Sequence, residues 1–175
     1  MTLVDPRLEK LQRQLASATE GLSPEQLIRH AAGKWSVAEI LEHLYLTYTG
    51  TIKGCGRLLE NGKPLATRSR WKQRAQAFIV VTLGYMPTGR KAPERARPRG
   101  TPPEKVRTEI VSALGQMDGL LTACASKFGS QAKVMDHPFL GPFSIQQWRK
   151  FHLVHGLHHV KQIRRLGQEL VAGRI

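Results

Sequence analysis

The sequence predicts an all-α protein: an antiparallel four-helix bundle with short extra helices and one long, basic, proline-rich loop. Three observations carry that expectation. Apolar residues recur at three- and four-residue spacing in long stretches of the chain. Ser-x-x-Glu and Ser-x-x-Gln capping boxes open several of those stretches. No stretch offers a convincing strand with a partner strand elsewhere. At 175 residues the chain can bury a real core, and residues 1–175 are read as a single domain.

The first helix begins at Asp5-Pro6, where proline at the first helical position gives up an N–H that would be unpaired anyway. Leu8, Leu11, Leu15 and Ala18 follow at helical spacing, and Gly21 ends it. Ser23 to Gln26 restarts a short helix with an S-x-x-Q box. Ser36 to Glu39 is another box, and Ile40, Leu41, Leu44, Tyr48 and Ile52 mark the apolar side of a helix running to Asn61-Gly62. Gly50, Gly54 and Gly56 predict close packing or a kink in its later half. Arg70 to Tyr85 reads as a helix, although Phe78-Ile79-Val80-Val81 also suits a strand. Pro87 to Pro103 holds five prolines and must be a loop; its length hints at a lid or an interface arm. Thr101 to Glu104 caps the next helix, lined by Val106, Ile110, Leu114, Met117, Leu121 and Cys124 and ending near Phe128-Gly129. His137 to Pro142 is a turn-rich connection. Ser144 to Gln147 then caps a last helix that runs to about Val171-Ala172-Gly173.

Cys55 and Cys124, the chain's two cysteines, lack C-x-x-C spacing. A cysteine zinc site and a disulfide scaffold are therefore not expected, and a reducing cytoplasm is. The opening MTLVDPRLEK has no secretory pattern, and no apolar run approaches the roughly 18 residues of a spanning helix. The net charge of +14 is concentrated: residues 68–107 hold eleven Lys/Arg against two acids. Charge of this sign points to nucleic acid, an anionic surface or an acidic ligand, unless it is simply a solvated loop. Only Trp71, Phe78 and Tyr85 interleave with it, which is thin for a base-stacking platform.

The chemistry concentrates in WRKFHLVHGLHHVKQIRR, residues 148–165, which carries His152, His155, His158 and His159, four of the seven histidines. His155 and His159 are four apart, one turn above each other on one helix face. Two neutral imidazoles so placed can hold a divalent ion, given a third ligand and an open position. In a bundle that third ligand comes from a different helix, and His43, in WSVAEILEHL, is the candidate. His152 falls within about 20° of His159 on the wheel and competes as a ligand. His158 lies about 60° from His155 and is expected to stand behind the site or in solvent. Gln162 could bond a ligand imidazole or a bound water. Glu39 is assigned to its capping box, Trp35 and Trp148 to helix starts, and His30 and His137 to surface or turn positions. No Glu stands beside the helical pair in a metalloprotease pattern.

The segments W-S-V-A-E-I-L-E-H-L at 35–44, H-P-F-L-G-P-F-S-I-Q-Q-W at 137–148 and H-G-L-H-H-V-K-Q-I at 155–163 together resemble the DinB-like superfamily. The resemblance runs from about Leu8 to Leu166 and implies a four-helix bundle, often dimeric. It implies a metal site of three histidines, falling here on His43, His155 and His159, with zinc, nickel or iron as the ion. Relatives include transferases and isomerases that use a low-molecular-weight thiol, and hydrolases. A metal-dependent enzyme acting on a small molecule, with thiol-dependent transfer slightly ahead of hydrolysis, is therefore the leading expectation. The alternative is a non-enzymatic protein whose basic segment engages nucleic acid or another acidic partner.

Overall fold

The computed structural model describes residues 5–87, 89 and 91–175. The opening residues 1–4, and Arg90 among the basic residues of the middle segment, lie outside them. Four long helices form the body: α1 (Pro6–Thr19), α3 (Val37–Asn61), α5 (Pro103–Phe128) and α6 (Ile145–Val171). Two short ones, α2 (Pro24–Ile28) and α4 (Trp71–Ala77), sit in the connections.

The sequence signals for helix ends correspond to real bonds. Asp5 accepts from the Arg7 N–H at 2.9 Å. The boxes at Ser23, Ser36 and Ser144 are closed in both directions, so Glu39 does serve the start of α3. Gly62, at φ 68°, ends α3 in the left-handed region. The start of α5 differs from expectation. Its cap is Pro102, without a side-chain bond, and Thr101 turns its hydroxyl to Glu42 on α3 instead.

The direction of the helices follows from what touches what. Arg149 reaches Asp5, Gly156 faces Leu11, and Arg164 donates to Gln14, so α1 and α6 run parallel. Glu42 meets Thr101, Cys124 lies against Cys55, and Lys127 donates to Leu59 O, so α3 and α5 also run parallel. The antiparallel relation holds between these pairs: His43 meets His155 and His159, while the later Thr51 meets the earlier His152. The path is up, down, down, up. Such a path needs one long crossover, because residues 62–102 must return along α3, about 38 Å of helix at 1.5 Å per residue. The basic, proline-rich segment is that crossover.

Two local expectations need correction. The connection into α6 is not only turns: β1 (Lys133–His137) pairs antiparallel with β2 (Gly141–Ser144). Strands of five and four residues are too short to show a countable period, and Pro138, Gly141 and Pro142 masked them as turn. The helix from Arg70 is regular only through Ala77; Phe78–Thr82 continues as a wider π turn. The valines of the suspected strand, Val80 and Val81, are buried in that turn. A 3-10 turn, Glu94–Ala96, lies within the expected proline-rich loop.

Buried apolar residues from all four long helices, the hairpin and the π turn form one cluster around Tyr48, Phe143, Leu114 and Met117. Helix α3 runs unbroken past its glycines, and close packing is the reason at Gly54, where a Cβ would stand 2.8 Å from Met135 Sδ. At one end, Arg149 binds buried Asp118 at 3.0 Å and approaches Asp5 at 3.4 Å, joining α6, α5 and the start of α1. Among the described residues, no helix is long and apolar enough to cross a membrane.

Candidate metal centre

Helix α3 presents His43 and α6 presents His155 and His159, all three buried. One ring nitrogen from each lies within 4.8 Å of the other two. His155 Nε2 is 3.1 Å from His43 Nε2 and 3.1 Å from His159 Nε2. Those contacts have a chemical consequence. His43 Nδ1 lies 2.7 Å from Ala96 O, a carbonyl that can only accept, so Nδ1 carries the proton and Nε2 a lone pair. His159 Nδ1 donates in the same way to Gln162 Oε1 at 2.8 Å. A neutral His155 has one proton, which could satisfy at most one of its two Nε2 neighbours. Nitrogen lone pairs therefore face one another at hydrogen-bonding distance without enough protons, an arrangement that a shared cation relieves. Two nitrogens on a tetrahedral zinc, each at about 2.0–2.1 Å, stand roughly 3.3 Å apart, close to the spacing found.

Electrostatics keeps the rings ready for such a cation. Burial lowers the pKa of His43, partly opposed by the Ala96 bond. Burial, and then the charges that His159 and His43 would carry, push His155 well below the usual imidazole value. Burial, followed by His43, lowers His159 to about 3, against the opposing pull of Gln162. Neutral imidazole is the form that ligates. Phe151 stacks on His155 with centroids 5.3 Å apart and planes 11° off parallel, and Trp35 leans on His43 at 5.2 Å.

The other candidates separate cleanly. His152 is fully buried but lies outside the cluster. Thr51 gives its hydroxyl proton to Thr47 O and accepts from His152 Nε2 at 3.0 Å, which leaves His152 Nδ1 a buried lone pair without a partner. His158 is half-buried and meets Gln162 Nε2 at 3.2 Å, so Gln162 links it to His159. His30 is exposed, as expected. His137, at the edge of the hairpin turn, is half-buried rather than exposed. The hairpin folds it back over α6, with its ring 4.5 Å from Phe151 and its Nδ1 accepting from Phe139 and Leu140. Burial, then the Arg95 charge, lowers its pKa to about 3.

His43, His155 and His159 line one wall of a cleft of about 1450 Å³ bounded by α3, α6, the hairpin and the crossover. The DinB superfamily model matches residues 7–163. The chain belongs to the DinB superfamily. DinB_2 is the particular model, and the matched span includes every histidine of the cluster. No curated protein sequence matches the chain significantly. Among solved structures, this DinB chain is similar to YfiT from Bacillus subtilis, with a TM-score of 0.60 and 17% identity over 94% of this chain and 84% of that one. YfiT is described as a probable metal-dependent hydrolase with an unusual four-helix bundle topology. At this identity the likeness concerns the fold.

One polar residue beside the cluster escaped sequence reading. Glu42 is 2% exposed, and its carboxylate turns away from His43 to the crossover. It accepts from Thr101 Oγ1 at 2.5 Å, Gly100 N at 3.1 Å and Thr101 N at 3.2 Å. The stretch it anchors includes Ala96, whose carbonyl orients His43. The signal was present: an acid within the apolar run I-L-E-H-L has to find partners if it is buried.

Proposed function

We propose that this DinB protein is a metal-dependent enzyme acting on a small molecule, with His43, His155 and His159 as the ligands of one divalent ion. The observation that carries the reading is the meeting of three Nε2 atoms, from His43, His155 and His159, with at most one proton among them. Zinc, nickel and iron all suit imidazole ligation. A divalent ion there would supply Lewis acidity, polarising an acceptor oxygen and lowering the pKa of a water or thiol nucleophile. The chain's own residues do the rest. Ala96 O and Gln162 Oε1 fix the tautomers and aim of His43 and His159. Phe151 and Trp35 cover ring faces against water, and the cleft leaves a side open to substrate.

Hydrolysis is the first reading, supported by the likeness to YfiT. Transfer involving a low-molecular-weight thiol is the second. It is favoured by the all-imidazole set, which brings no carboxylate charge to offset the ion's affinity for a thiolate. Ester and amide panels assayed with metal-loaded protein, with and without added thiol, distinguish the two. Turnover that ignores chelation and survives His155→Ala would remove both. The free, buried Cys55 and Cys124 support a cytoplasmic setting. A homodimer is part of the proposal too, supported by the exposed apolar residues Trp71, Phe78, Leu83 and Tyr85. Sedimentation that gives a monomer at every concentration removes it.

A further inference from the structure

The cleft beside the histidine cluster has an uneven charge. Lys34, Lys53, Arg57, Lys91, Arg95 and Arg99 line it, and none of them makes an ion pair among the described residues. The cleft's carboxylates are Asp136 and Glu169. Asp136 is held by Thr67 through its backbone N–H and its hydroxyl, and Glu169 faces Arg165 at 3.5 Å. Glu169 is thus paired, which leaves six unpaired cations against one carboxylate, Asp136, in the same concavity.

Their placement is ordered. Lys53 and Arg57 are one helical turn apart on α3, and both line the cleft with His43. At 1.5 Å per residue, Lys53 lies about 15 Å along the axis from that histidine. Arg95 and Arg99 come from the crossover, flanking Ala96, whose carbonyl touches His43. Positive charge therefore stands both near the histidines and at the far end of the same trough. Arg97, between them in sequence, is spent on Glu94 at 2.6 Å and does not line the cleft. A concave, low-dielectric wall of one sign concentrates the opposite charge.

We infer that the cleft takes a small, multiply charged anion, drawn in by Lys53 and Arg57 and seated by its phosphate or carboxylate groups on Arg95 and Arg99, with its reacting part turned toward His43, His155 and His159. The reacting end rests on the metal-centre reading; the anion site rests on the cations alone. A concavity walled by helices fits a small molecule better than a nucleic-acid strand, which also wants stacking surfaces along an open groove.

Calorimetry on the full chain tests this, with inorganic pyrophosphate and citrate as probes. One probe at least should bind saturably, about one per chain. Arg95→Gln with Arg99→Gln should weaken it by about tenfold, and Lys53→Gln with Arg57→Gln, acting through the field, by a few-fold. Lys10→Gln with Lys105→Gln removes the same charge away from the cleft and should change affinity less than about twofold. Whichever probe binds more tightly separates phosphate from carboxylate recognition. Protein treated with a chelator and dialysed should keep anion binding within a few-fold; if that treatment abolishes binding, the anion was sitting on an ion and the inference fails. Anion binding with no metal uptake would retire the metal reading and leave this one standing. Equal loss in the cleft and control pairs, no binding of either probe, or tighter cleft-dependent binding of a twelve-nucleotide single strand would each overturn it.

Discussion

Three imidazoles do not make a site until something fixes their protons, and here two outer partners do so. Gln162 bonds His159 and Ala96 bonds His43 through the nitrogens that do not face the cluster. Replacing Gln162 with Leu should therefore lower metal affinity by about 10–100-fold while the fold persists, measured by competition with a chelator of known affinity. An unchanged affinity would show that Gln162 merely fills space. His152 makes a different residue-scale case. Its pKa is lowered to about 3, by burial and then by the His137 charge, against an ordinary value near 6.5. The folded state thus binds fewer protons than the unfolded one. The stability is present above about pH 6.5 and is lost as pH falls from there toward 3. Urea unfolding of chelator-treated protein should show that slope, and His152→Phe should flatten it; parallel slopes would contradict the assignment. The i, i+4 pair was legible in the sequence because helical period alone places His155 beside His159. The partner of His43 was not, since Ala96 meets it across 53 positions through a backbone atom that any residue carries.

At the level of elements, the site depends on two contacts that hold its helices. One is the approach of α1 to α6 at Gly156, next to His155. A Cβ there would stand 2.4 Å from Leu11 Cδ1 and 2.7 Å from Cδ2, and Leu11 is fully buried. Alanine is the better helix former by about 1 kcal/mol, yet the overpacking costs about 1–3 kcal/mol. Gly156→Ala should lower the melting temperature; a rise would mean Leu11 has room to move. The other contact is Glu42 with the start of α5. Burial raises its pKa, but Thr101 Oγ1 and the N–H groups of Arg99, Thr101 and Gly100 outweigh it and hold the carboxyl below its ordinary range. Its stabilisation is therefore present above the unfolded value and lost as pH falls through the lower folded one. Glu42→Gln should cost about 2 kcal/mol at neutral pH and weaken metal binding by loosening the crossover over His43. The gap to wild type should close in acid, and a gap independent of pH would refute the charge argument. Capping boxes and apolar periods made helix starts legible at Ser23, Ser36 and Ser144. The hairpin was not, because two strands this short reveal themselves only through their pairing.

For the whole molecule, the composition and helical period were enough to place the fold in the bundle class. They were not enough to order the helices, because direction follows from where the 62–102 crossover lands, and that is decided by distant contacts such as Glu42 with Thr101. The crossover also gives part of the basic run a place: it brings Lys91, Arg95 and Arg99 to the cleft and lays Ala96 over His43. The proposed divalent ion, one per chain, would lie between α3 and α6. Elemental analysis of purified protein after supplementation with zinc, nickel and iron salts tests it most directly, beside His43→Ala, His155→Ala and His159→Ala. About one ion per chain in the wild type, and little in each variant, is the predicted result. A wild type without metal after supplementation, or variants that all retain it, would contradict the account.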